Sequence, residues 1–319
     1  MTIGAGGAGG NNRGMSTSTD GDVWSTASSL FGTGAINALT YGSELYIAAG
    51  DNGRISTSPN ATTWTLRTSG AGTIHYALAY ASGATETYIA AGSVGSLTTS
   101  TNAIVWTLRT AGVTQNLLAL AYASGQTNPY IAAGGFGRII TSTNAIFWTL
   151  RTSVAVDAFF ALAYASGETE PYIAAGEFGL LRTSTNAIQW TARTVGTTNA
   201  LYALAYASGA TEPYIAAGFS GRLITSTNAI QWTSRTSGTT FDITALVYAS
   251  GQTNPYIIAG DSGRIITSTN AIVWTLRTSG TTSNLNALAY ASGQTNPYIA
   301  SGDTGVILLS TDLISWTLS

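Results

Sequence analysis

An all-β chain closed into a ring of small four-stranded sheets is what this sequence predicts, and three observations carry the prediction. Tryptophan recurs as a ruler at Trp24, Trp64, Trp106, Trp148, Trp190, Trp232, Trp274 and Trp316, the first gap 40 residues and the other six 42. Gly or Asn/Thr/Ser clusters cut each unit every few residues, which leaves no room for a helix. The apolar runs between those cuts are short and lack a 3.6-residue period. A 42-residue period lies in the range of propeller blades, whereas helical repeats near that length need two amphipathic helices per unit. The expectation is one β-propeller domain over residues 1–319.

Each unit reads as four strands in order. In the unit that ends near Trp148, strand one is LLALAYAS, strand two PYIAAG, strand three RIITST and strand four FWTLRT. Strands one and two are apolar on both faces, as expected when a sheet is sandwiched between neighbours. Strand four alternates, with Trp148 and Leu150 pointing one way and Thr149 and Arg151 the other, so one face is expected to be buried and one wet, as suits an outermost strand. SGQTNP is a polar turn between strands one and two, GFG a tight turn between two and three, and TNAI joins three and four. Seven such units span residues 37–319. Residues 1–36 supply strands two to four of a further unit and a linker, but no strand one. Eight blades with the first incomplete is the preferred count, and seven blades with an N-terminal extension is the alternative.

Composition narrows function. Charged residues make up 8 % of the chain, all cations are Arg, and the net charge is −2, so neither nucleic acid nor an anionic membrane is an expected partner. With no Cys, disulfides, thiolate metal sites and a Cys nucleophile are excluded. No apolar run is long enough to span a bilayer, and the N-terminus lacks the pattern of a secretory signal. A Thr/Ser/Asn/Gly-rich surface without an export signal fits a virion protein made in a host cytoplasm and released by lysis.

STDGDVW (Ser18–Trp24) and STNAIVW (Ser100–Trp106) resemble the Asp-box, or BNR, hairpin of sialidase-type propellers, and the blades resemble those of the photosystem II assembly-factor family. Similar repeats occur in phage structural proteins. The resemblance implies a turn closed by the Asp side chain and a Trp packed between blades. Asp stands at Asp20 and Asp312, and Asn replaces it in the other six hairpins. Asn can cap the same turn by bonding backbone two residues on. The hairpin is thus a structural device.

Variation among the units is uneven. The turn between strands two and three changes, as does the segment from strand four into the next strand one. Up-and-down strand order puts both at one edge of every blade, so they share one face of the disc. That face collects the aromatics outside the repeat template. The candidate partner-binding residues are His75, Tyr76, Phe136, Asp157, Phe159, Phe160, Phe178, Tyr202, Phe219, Phe241 and Asp242. Planar rings there could stack on a host surface glycan or meet a neighbouring virion protein. A cytoplasmic assembly scaffold and a secreted lectin are the rival settings.

No catalytic constellation emerges. Sialidases, as the resemblance implies, converge three Arg on a carboxylate, but Arg67, Arg109, Arg151, Arg193, Arg235 and Arg277 each follow a repeat Trp and point around the rim. Glu168 and Glu170 read as solvated turn residues rather than a glycosidase pair. His75 is the sole His, and Asp51, Asp261 and Asp303 lie in separate blades. A non-enzymatic protein without cofactor or metal is expected.

Overall fold

The computed structural model describes residues 17–18, 24–25, 36–151, 153–295, 297–303 and 307–318. Seven four-stranded antiparallel sheets follow one another along the chain. Blade 3 is representative: Leu117–Tyr122, Tyr130–Gly134, Ile139–Ser142 and Thr149–Arg151 pair in sequence order. Tyr122 lies opposite Tyr130, Ala132 opposite Ile140 and Thr141 opposite Thr149. In blade 3 the second strand ends at Gly134 and the third at Ser142, at the glycine and polar cuts that the punctuation predicts.

The first strands form the inner ring: Ile36–Gly42, His75–Tyr80, Leu117–Tyr122, Phe159–Tyr164, Leu201–Tyr206, Ile243–Tyr248 and Leu285–Tyr290. Each packs on the next, and Leu285–Tyr290 packs on Ile36–Gly42, so seven blades close the circle. A cluster of Leu39, Tyr41 and Ala48 with Ala287, Ala289 and Ile299 seals that junction, and Gln294 Nε2 donates to the Tyr41 hydroxyl across it at 2.8 Å. The preferred count of eight is therefore corrected to the seven-bladed alternative. The reason is physical: a blade joins the ring through its inner strand, and the inner strands of the last and first complete blades already pack on each other. Of that segment a two-residue ladder is described, Thr17 opposite Ser25 and Ser18 opposite Trp24, and the rest of the expected incomplete blade lies outside the described residues.

Small residues let the sheets stack closely. Between blades 2 and 3, Ala77, Ala79 and Ile89 meet Leu120, Tyr130 and Ile140, with the Trp148 ring along the edge. Fully burying an Ile or Leu side chain contributes roughly 1.5–3 kcal/mol, and seven such seams repeat the gain around the ring.

The hairpin between strands three and four is closed by its Asn. In blade 3, Asn144 Oδ1 accepts from the N–H groups of Ile146 and Phe147 at 3.0 and 3.1 Å, and Asn144 N donates to Ser142 Oγ at 3.2 Å. The Trp148 indole N–H then donates to the Ala145 carbonyl at 3.0 Å. Ala145 adopts φ 61°, a left-handed conformation.

Strand four departs from its expected pattern. It starts at Thr149, after the Trp, and Leu150 is 47 % exposed while Arg151 is half-buried. Arg151 turns inward because Nε donates to Thr141 Oγ1 at 2.7 Å and Nη2 to Asn128 Oδ1 at 3.3 Å. Sister arginines end on carboxylates of their own blade: Arg109 on Glu86, Arg193 on Glu170 and Arg235 on Glu212, at 2.8–2.9 Å. Glu170 is thus an ion-pair partner, and Glu168 accepts from the Tyr206 hydroxyl at 2.6 Å, so neither is merely solvated.

Candidate binding face

The two variable segments do meet on one face. The first residue of each strand two–three turn donates its N–H to the carbonyl of the connector entering the same blade: Gly135 to Asn116 at 2.9 Å, Glu177 to Ala158 at 3.0 Å, Asp261 to Asp242 at 3.0 Å. A Cβ on Gly134 would stand 1.9 Å from the Asn116 carbonyl oxygen, so the glycine ending strand two is what lets the connector lie this close. Side chains then link neighbouring blades. Asn116, Asp242 and Asn284 accept, through Oδ1, from the N–H of Val94, Ser220 and Ser262 in the preceding blade, at 3.0, 2.8 and 2.9 Å. Asp242 therefore has a bracing role on the face where it was expected to bind.

The turns themselves are primed turns. In blade 3, Phe136 (φ 55°, ψ 37°) and Gly137 (φ 64°) are both left-handed, and Arg138 N donates to Gly135 O at 3.2 Å. Asn-Gly is the pair this geometry favours, and blade 1 has it, as Asn52-Gly53. Blades 2, 3 and 4 instead place Val94, Phe136 and Phe178 in the left-handed site, where a bulky residue costs about 1–2 kcal/mol. Nothing in the fold compensates it, because the Phe136 and Phe178 rings are 73 % and 71 % exposed.

The connector residues divide by one position. His75 and Phe159 open their inner strands and are fully buried, where other blades have Leu117, Leu201, Ile243 and Leu285. Both were expected on the face and are instead core. A bulge after this first residue, and the glycine paired with it, turn its side chain into the seam. Burial holds the His75 imidazole down, to about 4, and neither ring nitrogen has a hydrogen-bond partner.

The following residues, Tyr76, Phe160 and Tyr202, are half-buried at the variable-face end of the inner ring, with Phe160 and Tyr202 rings 5.5 Å apart across blades 4 and 5. In blades 6, 7 and 1 that position holds Thr244, Asn286 and Asn37, whose side chains are spent on internal bonds to Leu285 O, Asp303 Oδ1 and His75 O. Burial, then Asp51, raise the Tyr76 hydroxyl; burial, then Asp242, Asp261 and Glu177, raise that of Tyr202. Both stay neutral at physiological pH.

Phe219 is partly exposed at the head of the blade 5 turn, and its carbonyl accepts from Asn199 Nδ2 at 3.2 Å. Phe241 lies under the Arg264 guanidinium, 4.8 Å from ring centre to Cζ. Asp157 is half-buried in the connector to blade 4. The face is thus two-sided. Blades 2 to 5 carry Val94, Phe136, Phe178 and Phe219, joined by exposed Val154 and Val156, which sequence reasoning missed. The signal for Val154 was its place in the connector, left-handed at φ 57°, where other units have Gly70, Gly112, Gly196, Gly238 and Gly280. Blades 6, 7 and 1 carry Asp261, Asp303 and Asp51 at the turn heads. The Asp261 carboxyl is raised by burial and then by Asp242 and Asp303, which marks that side as acidic.

No family model matches the chain, and no curated protein matches it. Solved structures do. A structure titled "YCF48 bound to D1 peptide" aligns with a TM-score of 0.69 at 14 % identity, over 88 % of this chain and 94 % of that one. YCF48 from Cyanidioschyzon merolae gives 0.65 at 14 % identity, over 86 % and 95 %. The WD40 β-propeller domain of Doa1 gives 0.66 at 9 % identity, over 97 % and 96 %. These likenesses establish the fold: the chain is a seven-bladed β-propeller, similar in architecture to propellers of the YCF48 and WD40 kinds.

Proposed function

We propose that this propeller is a non-catalytic binding module that takes a protein partner on the apolar arc of its variable face, across blades 2 to 5. The backbone strain beneath the exposed Phe136 and Phe178 rings carries the proposal. Strain that folding does not need, placed under an exposed anchor, points to function at that anchor. Aromatic anchors are the usual centres of binding energy. One similar propeller is titled as bound to a peptide, which supports a protein ligand. The repeat-locked arginines support a non-catalytic role, since each is engaged within its own blade.

The surface composition supports a phage particle as the setting, with a neighbouring virion protein as the partner and synthesis in the host cytoplasm. A host glycan is the second reading, favoured by the neutral Phe160–Tyr202 ring pair beside the axis. Hydrogen-exchange footprinting with the proteins encoded beside this gene tests the first reading, and a glycan array the second. Protection over residues 93–95, 135–137 and 177–179 supports the protein reading. Array binding that Phe160→Ala and Tyr202→Ala abolish, with no protected turn, would replace it.

A further inference from the structure

The opposite face, where the turns between strands one and two hardly vary, encloses a cavity of about 490 Å³ around the axis. That volume falls within the range of small-molecule sites. Blades 2 to 5 each contribute the same trio, which in blade 3 is Leu120, Tyr122 and Ser124. Leu and Ala side chains, Tyr rings and Tyr and Ser hydroxyls line it, the four Leu no more than 8 % exposed.

Among the described residues, no Arg, Asp or Glu lines it. The Glu168 carboxylate accepts from the hydroxyl of the lining residue Tyr206 at 2.6 Å. Burial first, and the Glu168 hydrogen bond next, push that hydroxyl up to about 12, so Tyr206 adds no charge at physiological pH. The other lining hydroxyls are unequally engaged. Gln126 Nε2 donates to the Tyr164 hydroxyl at 2.8 Å, and Ser43 Oγ lies 2.7 Å from that of Tyr80. Ala84 stands in blade 2 where Gln126 stands in blade 3, so Tyr122 lacks the clip its neighbours have.

We infer that this cavity is a second binding site, for a neutral amphiphile whose short alkyl chain lies against the Leu and Tyr side chains and whose hydroxylated head bonds Tyr122 and Ser124. A pocket that mixes apolar side chains with convergent neutral hydroxyls in nearly equal measure matches that class, because a charged head would lose hydration without a counter-charge. It is independent of the partner proposed for the other face.

The probe is n-heptyl β-glucoside, titrated below its micelle concentration into protein labelled at Leu methyls. The expected result is saturable shifts at Leu78, Leu120, Leu162 and Leu204 and none around Phe136. Tyr122→Phe should weaken binding about fivefold, the worth of one neutral hydrogen bond. Leu162→Trp, which fills the cavity, should abolish it. Should that variant misfold, Ser124→Trp at an exposed lining position is the second blocker. Phe136→Ala should change nothing. Glucose alone shifting the same methyls, heptanol binding as tightly as the glucoside, or N-acetyl-leucinamide binding in its place would each overturn the assignment.

Discussion

At the scale of the residue, His75 makes the sharpest prediction. It occupies a core position that Leu, Ile or Phe fills in the other blades, with neither nitrogen bonded. Its folded pKa of about 4 lies below the ordinary 6.5, so the unfolded chain binds the proton more readily. Stability is therefore complete above pH 6.5 and falls as pH drops toward 4. The shift is worth roughly 3 kcal/mol in all. Urea unfolding between pH 7.5 and 4 should show the wild type losing stability relative to His75→Leu, and the variant should be no less stable at pH 7.5. A parallel pair of pH profiles would contradict this. The error over His75 and Phe159 has a general cause. Both lie where connector becomes strand, and one residue of register decides between face and core. A bulge at that spot hides the parity from any alternation rule. The exposed Phe136 and Phe178 were legible because a turn flanked by glycines leaves a side chain nowhere to go but outward.

Elements were the most legible scale. Strand order, turn chemistry and the capping role of Asn follow from punctuation and hydrogen-bonding capacity, and the blades keep them. The Asn of each hairpin satisfies two N–H groups, so Asn144→Ala should cost about 1–2 kcal/mol, while Asn144→Asp should be close to neutral. Thermal unfolding of the two variants checks this, and equal losses would show that the side-chain oxygen does not close the turn. Strand four was misread because its Arg is long and amphipathic. Arg151 lies inward along Thr141 while its head reaches Asn128, leaving Leu150 on the wet side. Trp148 and Thr149 keep the alternation, and it fails at Leu150 and Arg151, which exchange sides.

For the whole molecule, tryptophan spacing gave the period but not the count of blades. The count depends on closure, which is a contact between Leu285–Tyr290 and Ile36–Gly42 and has no local signal. A chain of residues 36–319 should unfold in one cooperative transition within a few degrees of the full chain. A chain of residues 70–319, which loses the blade that closes the ring and keeps the whole strand His75–Tyr80, should not. A full-length transition well above that of residues 36–319 would mean that the N-terminal segment helps to hold the ring shut. Closure also sets the two-sided character of the disc, because it fixes the apolar turns of blades 2 to 5 beside one another and opposite the acidic turns of blades 6, 7 and 1.

The most direct measurement pairs stability with partner affinity in the double variant Phe136→Asn/Phe178→Asn. Asn relaxes the left-handed site, so the variant should be more stable by about 2 kcal/mol in denaturant unfolding. It should also lose at least about tenfold in affinity for the protein partner, as expected for two aromatic anchors. Unchanged affinity together with unchanged or lower stability would contradict the claim that these turns are strained for the sake of binding.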